Sequence, residues 1–275
     1  MKTTFEDFNN SIVPGVISLQ VHSSFKQQES SNNDLSKVKS LLRSDNVFNQ
    51  FLSTFGLQSV SIESLISAFS HSSFVNERES DSFHSYERLE LLGDSVLELI
   101  ITEKLFTEFP DLSEGVLSKI RGQLVSKEEL ATLGKMIGLH HFILVGRGEY
   151  QQKVFFKDSI LADLFESLLG AIFKDLGLES ARAFVNQILR FYEEKMGHAF
   201  ISIARVEGKN YKGRLQELLM KQKKDLPKYT DVELDSGEFL VTVTIGNKVL
   251  GKSIHISKKQ AQVNAAKDAL SLLTQ

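Results

Sequence analysis

"ERLELLGDSVLELI", Glu87 to Ile100, is leucine-rich enough to be a core helix, yet it carries four carboxylates. At 100° per residue, Glu87, Glu90, Asp94 and Glu98 fall within an arc of about 80°, with Leu89, Leu92, Val96, Leu99 and Ile100 on the opposite side. Leu91 and Leu97 flank the acidic stripe, where a merely solvated face would be polar. A second segment repeats the anomaly: "SILADLFESLLGAIF", Ser159 to Phe173, is nearly all apolar but is interrupted by Asp163 and Glu166. Like charges three residues apart repel, and withdrawing a carboxylate from water costs several kcal/mol unless it is paired. A cation between these groups would resolve the conflict. The chain has no Cys, and the donors are oxygens, which favours Mg²⁺ or Mn²⁺ over zinc. Carboxylates on two helices can hold one or two such ions, an arrangement suited to phosphodiester hydrolysis.

Working outward, the chain has 275 residues, 41% hydrophobic and 24% charged, enough for two domains. The absence of Cys excludes disulfide scaffolds, thiolate metal sites and Cys nucleophiles. No apolar run approaches the roughly 18 residues that span a bilayer, so a soluble intracellular protein with no membrane partner is expected. The net charge of −3 hides an asymmetry. Residues 205–275 hold 13 Lys+Arg against 8 Asp+Glu, net +5, leaving net −8 for residues 1–204. A basic module beside an acidic body suggests a polyanion held by the first and processed by the second.

Residues 1–45 read as an N-terminal arm whose segment "KQQESSNNDLSKVK" (26–39) has a loop composition. From 46 to about 200 the apolar spacing is helical, with breaks at "FPDLSEG", "GLHHF" and "LGLES". Over 205–275 the pattern changes. A helix at "GRLQELLMKQ" precedes three alternating segments, "KYTDVEL", "EFLVTVTI" and "KVLGKSIHI", and "SKKQAQVNAAKDALSLL" closes as a helix. The expected architecture is an all-α domain followed by an α-β-β-β-α module, joined through "GHAFISIARVEGKN".

The first stretch closely resembles the signature of the ribonuclease III family, Glu-Arg-Leu-Glu-Phe-Leu-Gly-Asp-Ser/Ala-Val. The family's order continues around it in "AFSHSSFVNE", "FPDLSEGVLSKIRGQLVS", "LGKMIGLHHFILVGRGE" and "DSILADLFESLLGAIFKDLG". "NYKGRLQELLM" and "SKKQAQVNAAKDAL" resemble the two ends of a double-stranded RNA-binding domain. The resemblance covers about residues 50–275. It implies metal-binding catalytic carboxylates at Glu90, Asp94, Asp163 and Glu166, with Glu87 and Glu114 as auxiliary acidic positions. It also implies a homodimer, each subunit cutting one strand of duplex RNA with Mg²⁺ (Mn²⁺ as a substitute), leaving 5′-phosphates and two-nucleotide 3′ overhangs. Leu91 and Leu97 would then face the partner subunit.

Other residues are read more plainly. His71 is expected to serve structural hydrogen bonds, Lys157 stands where a phosphate contact is one option, and Gly93 is expected to permit close helix packing. In the basic module the resemblance places minor-groove contacts at Gln216 and Glu217 and a phosphate clamp at Lys258 and Lys259, where a helix begins. The family's Gly-Pro-x-His loop is replaced by "LDSGEF", Leu234 to Phe239, and the basic position after the lysine pair is Gln262. Two alternatives stand beside the nuclease: a catalytically inactive relative acting in ribosomal or mitochondrial assemblies, and a purely structural helical protein. The first would have lost acidic ligands, and the second leaves the carboxylates unexplained. Ribosomal, small nuclear and small-RNA processing by a Dicer-like enzyme remain open as pathways, in nucleus or cytoplasm. The long arm points to a eukaryotic, fungal source.

Overall fold

Gly93 and Gly170 decide how the larger part of the chain is built. In the computed structural model, which describes residues 34–78, 83–201 and 211–273, these glycines lie on two helices that touch backbone to backbone. A β-carbon on Gly93 would overlap the Glu166 carbonyl, and one on Gly170 would overlap the Leu89 carbonyl. The expectation for Gly93 holds. The chain divides into two compact units at Phe200/Ile201.

The first unit is helical. In order it contains α1 (Asp34–Ser44), α2 (Asn46–Thr54), α3 (Ile62–Phe69), α4 (Ser72–Asn76), α5 (Glu87–Glu108), α6 (Glu114–Leu124), α7 (Lys127–Met136), α8 (Arg147–Gln151) and α9 (Asp158–Met196). Helix α9 is the centre, packed against α5, α7 and α3. Its early turns are buried nearly all round, from Leu161 through Ile172, which is why that segment is apolar without a clear period. At Gly177 the helix breaks, with φ 80 and ψ 179, inside the "LGLES" segment read as a break. Beyond it, Ala181, Phe184, Val185, Ile188 and Leu189 resume a buried stripe. Aromatic rings fill the space between α2, α3 and α9: Phe51 and Phe142 lie 4.7 Å apart, Phe48 and Phe142 5.6 Å, and Phe165 and Phe184 6.1 Å.

Two sequence expectations change here. Helix α1 enters the segment 26–39 read as a loop, and its Val38 and Leu42 are fully buried. Polar composition masked an i, i+4 apolar pair that suffices for a short helix supported by tertiary packing. The packed face of α5 also differs. Its buried row is Leu89, Gly93, Val96, Leu97, Ile100, Ile101 and Leu105, so Leu97 is core, not partner-facing, and Leu99 is 52% exposed. The glycine, by permitting the closest approach, turns the core side toward itself, and the acidic stripe comes to lie along the edge of the packed interface.

The second unit runs α10 (Tyr211–Lys221), β1 (Lys228–Glu233), β2 (Phe239–Ile245), β3 (Lys248–His255) and α11 (Lys258–Leu273). The strands form an antiparallel sheet in the order β1-β2-β3. Val232 pairs with Leu240 and Leu240 with Ile254. The β2–β3 turn is two residues long, with Gly246 at φ 53, as tight hairpins with glycine first require. Core residues Leu215, Leu219, Val241, Val243 and Leu250 meet the alanine face of α11, Ala261, Ala265, Ala266 and Ala269. Gly251 touches the α11 backbone, where a β-carbon would overlap the Ala265 carbonyl.

Candidate metal centre and nucleic-acid interface

The α5–α9 contact fixes which carboxylates meet. Glu87 and Glu90 occupy the first turn of α5, where the helix dipole favours negative charge. Asp163 and Glu166 lie on the early turns of α9 and reach the same crossing. Glu90, Asp163 and Glu166 each place one carboxylate oxygen within 4.8 Å of the others. Glu166 is 8% exposed, and burial, followed by the charges of Asp94, Glu90 and Asp163, pushes its carboxyl up to about 8. Glu90 is also raised, by burial first and Asp163 second.

Asp94 stands outside the three-residue group, although it is the charge that acts most strongly on Glu166. For Glu90 the strongest acidic neighbour is Asp163. Three of the four positions thus meet directly, and Asp94 acts on Glu166 through its charge. Glu87 bonds Ser85 Oγ at 2.9 Å and reaches Glu90 only through its field. Glu114 opens α6 as an exposed residue and is not part of the cluster.

Around the carboxylates, two residues emerge that the sequence did not single out. The Tyr86 hydroxyl lies 3.5 Å from Asp163 Oδ2, and burial raises the phenol. Lys127, the first residue of α7, donates from Nζ to Asp163 Oδ1 at 3.2 Å. A signal for Lys127 exists in the sequence: "SKEE" is an N-cap serine with acidic residues after it, and a lysine there opposes the helix dipole. His71 behaves as a structural residue: its Nδ1 accepts from Ser73 N at 3.1 Å and caps α4, and burial lowers its basicity. Lys157 is the N-cap residue of α9 without a side-chain capping bond.

The donor set suits a hard divalent cation. All ligand atoms are carboxylate oxygens, and a buried glutamate held protonated to about 8 loses that penalty when positive charge arrives.

In the small unit, Lys258 and Lys259 begin α11, where backbone N–H groups and the dipole attract anions. Ser257 and His255 shape this start: Ser257 N donates to His255 Nδ1 at 2.9 Å. Lys258 is already engaged, 2.7 Å from Asp231 on β1. Lys259 and Gln216 are exposed, and the Glu217 side chain lies outside the described residues. Gln262, in place of a basic residue, accepts from Lys212 Nζ at 2.7 Å and ties α11 to α10. The shortened loop closes on itself, with Leu234 N donating to Glu238 O and Gly237 N to Leu234 O, both at 2.8 Å.

Comparisons with known proteins divide along the same lines. The Ribonuclease-III-like family matches residues 61–191, and the double-stranded RNA binding motif matches residues 211–273. The protein named Ribonuclease 3 of Streptococcus agalactiae is 39% identical over 230 residues, 80% of this chain and 95% of that one. Its namesake in Streptococcus pyogenes is 37% identical over 232 residues, 82% of this chain and 97% of that one. Among solved structures, the nuclease domain of ribonuclease III from Campylobacter jejuni is 34% identical, covering 54% of this chain and 97% of that one, with a TM-score of 0.48. Dicer from Pichia stipitis is 28% identical, covering 77% of this chain and 94% of that one, with a TM-score of 0.36. The curated relatives named here are bacterial and lend the fungal source expected from the arm no support.

Proposed function

Because this chain belongs to the ribonuclease III family and is an endoribonuclease specific for double-stranded RNA, we propose that its reaction centre is the group Glu90, Asp163 and Glu166, completed by Asp94 and holding Mg²⁺. The observation that carries this reading is the burial of Glu166 at the Gly93–Gly170 crossing, within 4.8 Å of two further carboxylates. Such a cluster is costly unless a cation completes it.

When bound, a divalent ion supplies Lewis-acid polarisation of the phosphodiester and eases deprotonation of the attacking water. The residues do the rest. Glu166, the most buried ligand, fixes depth in the site. Glu90 and Asp163 would supply the other two carboxylate oxygens of the group, and Tyr86 restrains Asp163. Glu87 adds negative charge from the first turn of α5, and Glu114 has no part in this cluster. Mn²⁺ has the same preference for oxygen donors and is expected to substitute.

Double-stranded RNA binding falls to the small unit, through Lys259 and Gln216 and through Lys258 once a phosphate competes with Asp231. A side-chain role for Glu217 stays with the family resemblance. The protein is proposed to work as a homodimer. Leu91, Leu99 and Phe106 are exposed at 72, 52 and 72% and fall within one arc of about 80° on α5, an apolar strip suited to a symmetric contact. Products are duplexes with 5′-phosphates and two-nucleotide 3′ overhangs, as is usual for the family.

Incubating the purified protein with end-labelled duplex RNA in Mg²⁺ or in EDTA tests the assignment. Cleavage of the duplex only in Mg²⁺, with single-stranded RNA spared, is expected. An uncut duplex in Mg²⁺ would return the chain to the binding-only class.

A further inference from the structure

Lys127 is the cation that the isolated protein brings to its own acidic centre. It sits at the first position of α7, behind the N-cap Ser126, whose Oγ accepts from Glu129 N. Glu128 and Glu129 follow it in the first turn, as the helix dipole favours, whereas a lysine at that end is disfavoured by the same field. Helix formation therefore gives no reason for a positive charge there. The reason lies on α9: Lys127 Nζ is 3.2 Å from Asp163 Oδ1. The two ends of this pair differ sharply, since the Lys127 side chain is 67% exposed and that of Asp163 14%. The lysine reaches inward from solvent over a mostly covered carboxylate. Its charge also falls on Glu90 and Glu166, which together with Asp163 raise its basicity.

We propose that Lys127 is a built-in counter-cation: it neutralises Asp163 while no divalent ion is bound, and it must be displaced from that oxygen when one binds. This rests on the assignment of Glu90, Asp163 and Glu166 as metal ligands. Its consequence is a raised threshold. The ion competes with an ammonium already in place, so the site fills at higher free metal concentration than its carboxylates alone would require. Because the lysine is exposed, it leaves easily, and the competition is modest.

The experiment measures Mn²⁺ binding to the full-length protein without RNA, by the EPR signal of free Mn²⁺. Lys127→Ala is compared with wild type, with Lys127→Arg, and with Lys135→Ala. The last removes an exposed charge from the same helix that is paired elsewhere, to Asp158. Lys127→Ala should bind Mn²⁺ about two- to fivefold more tightly, the range expected of one exposed pair. Lys127→Arg should stay near wild type, and Lys135→Ala should be unchanged. Equal or weaker binding by Lys127→Ala overturns the inference, as does equal tightening by Lys135→Ala, which would reduce the effect to general charge. If wild type and Glu166→Gln bind Mn²⁺ alike, the metal-site assignment itself fails, and this inference falls with it.

Discussion

Both units bring two elements into backbone contact at a glycine, and they use the closeness for opposite ends. At Gly93 and Gly170 the approach of α5 and α9 forces ionisable groups into a space where their charges are costly. At Gly251 the approach of β3 and α11 is lined by Ala265 and Ala269, and the fully buried residues of the surrounding cluster are apolar. The same packing device yields a buried carboxylate cluster in one unit and an apolar scaffold in the other. What separates them is the identity of the residues one turn away from each contact.

The largest effect should come from the chemistry that the first contact creates. Glu166→Gln keeps the side chain's shape and removes its charge, so duplex cleavage in Mg²⁺ should fall by about three orders of magnitude or more while RNA binding in EDTA persists. Near wild-type cutting in a gel assay would separate the contact from catalysis. Next in size are the contacts themselves. Gly93→Ala should destabilise the helical unit by ~3 kcal/mol or more, because the added carbon meets backbone that cannot rotate away. Gly251→Ala should cost the small unit a similar amount without altering metal binding. Denaturant titration of both variants, with Mn²⁺ binding alongside, distinguishes the two roles. A Gly93→Ala protein of full stability would contradict the packing described.

A smaller effect concerns pH. In EDTA the folded state holds a proton on Glu166 between its ordinary value of 4.5 and about 8, a proton that the unfolded chain gives up over that interval. The stability this confers is complete below about 4.5 and is lost as pH rises through about 8. Wild type should thus lose thermal stability relative to Glu166→Gln between pH 5 and pH 8. Parallel melting profiles would mean the carboxyl is not held protonated. The smallest effect belongs to the small unit. Replacing Lys258 and Lys259 together should weaken RNA binding and flatten its salt dependence by about one unit per lost phosphate contact at most. Asp231→Asn, which frees Lys258, should tighten binding by a few-fold. If neither change moves the salt slope in a fluorescence titration, the clamp lies elsewhere.

The sequence made the small unit legible almost residue by residue, because alternation in "EFLVTVTI" and the helix start at "SKK" are local signals. The acidic stripe and the interruptions at Asp163 and Glu166 were equally visible. The packed face of α5 was legible only in part: Leu89, Val96 and Ile100 are buried on the side opposite the acids, but Leu99 is exposed and Leu97 is core, because the side chain missing at Gly93 sets the closest approach. Helix α1 was hidden for the converse reason, since two buried residues, Val38 and Leu42, anchor a segment of polar composition. The engagement of Lys127 with Asp163 joins positions 36 apart in sequence, and no periodicity connects two helices before they are packed.

The break in α9 has a consequence that depends on handedness. A β-carbon at Gly177 would meet nothing within 4 Å, so volume alone would accept alanine there. Its φ of 80 with ψ of 179 is the mirror image of an ordinary extended conformation, open to glycine and strained for any L-residue. A D-alanine placed at 177 by chemical ligation would have its own favoured backbone angles. At Gly93, where distance and not chirality excludes the side chain, inverting the stereocentre offers no such match between residue and backbone. Two glycines on neighbouring helices are thus fixed by different physical quantities, one by an angle and one by a length.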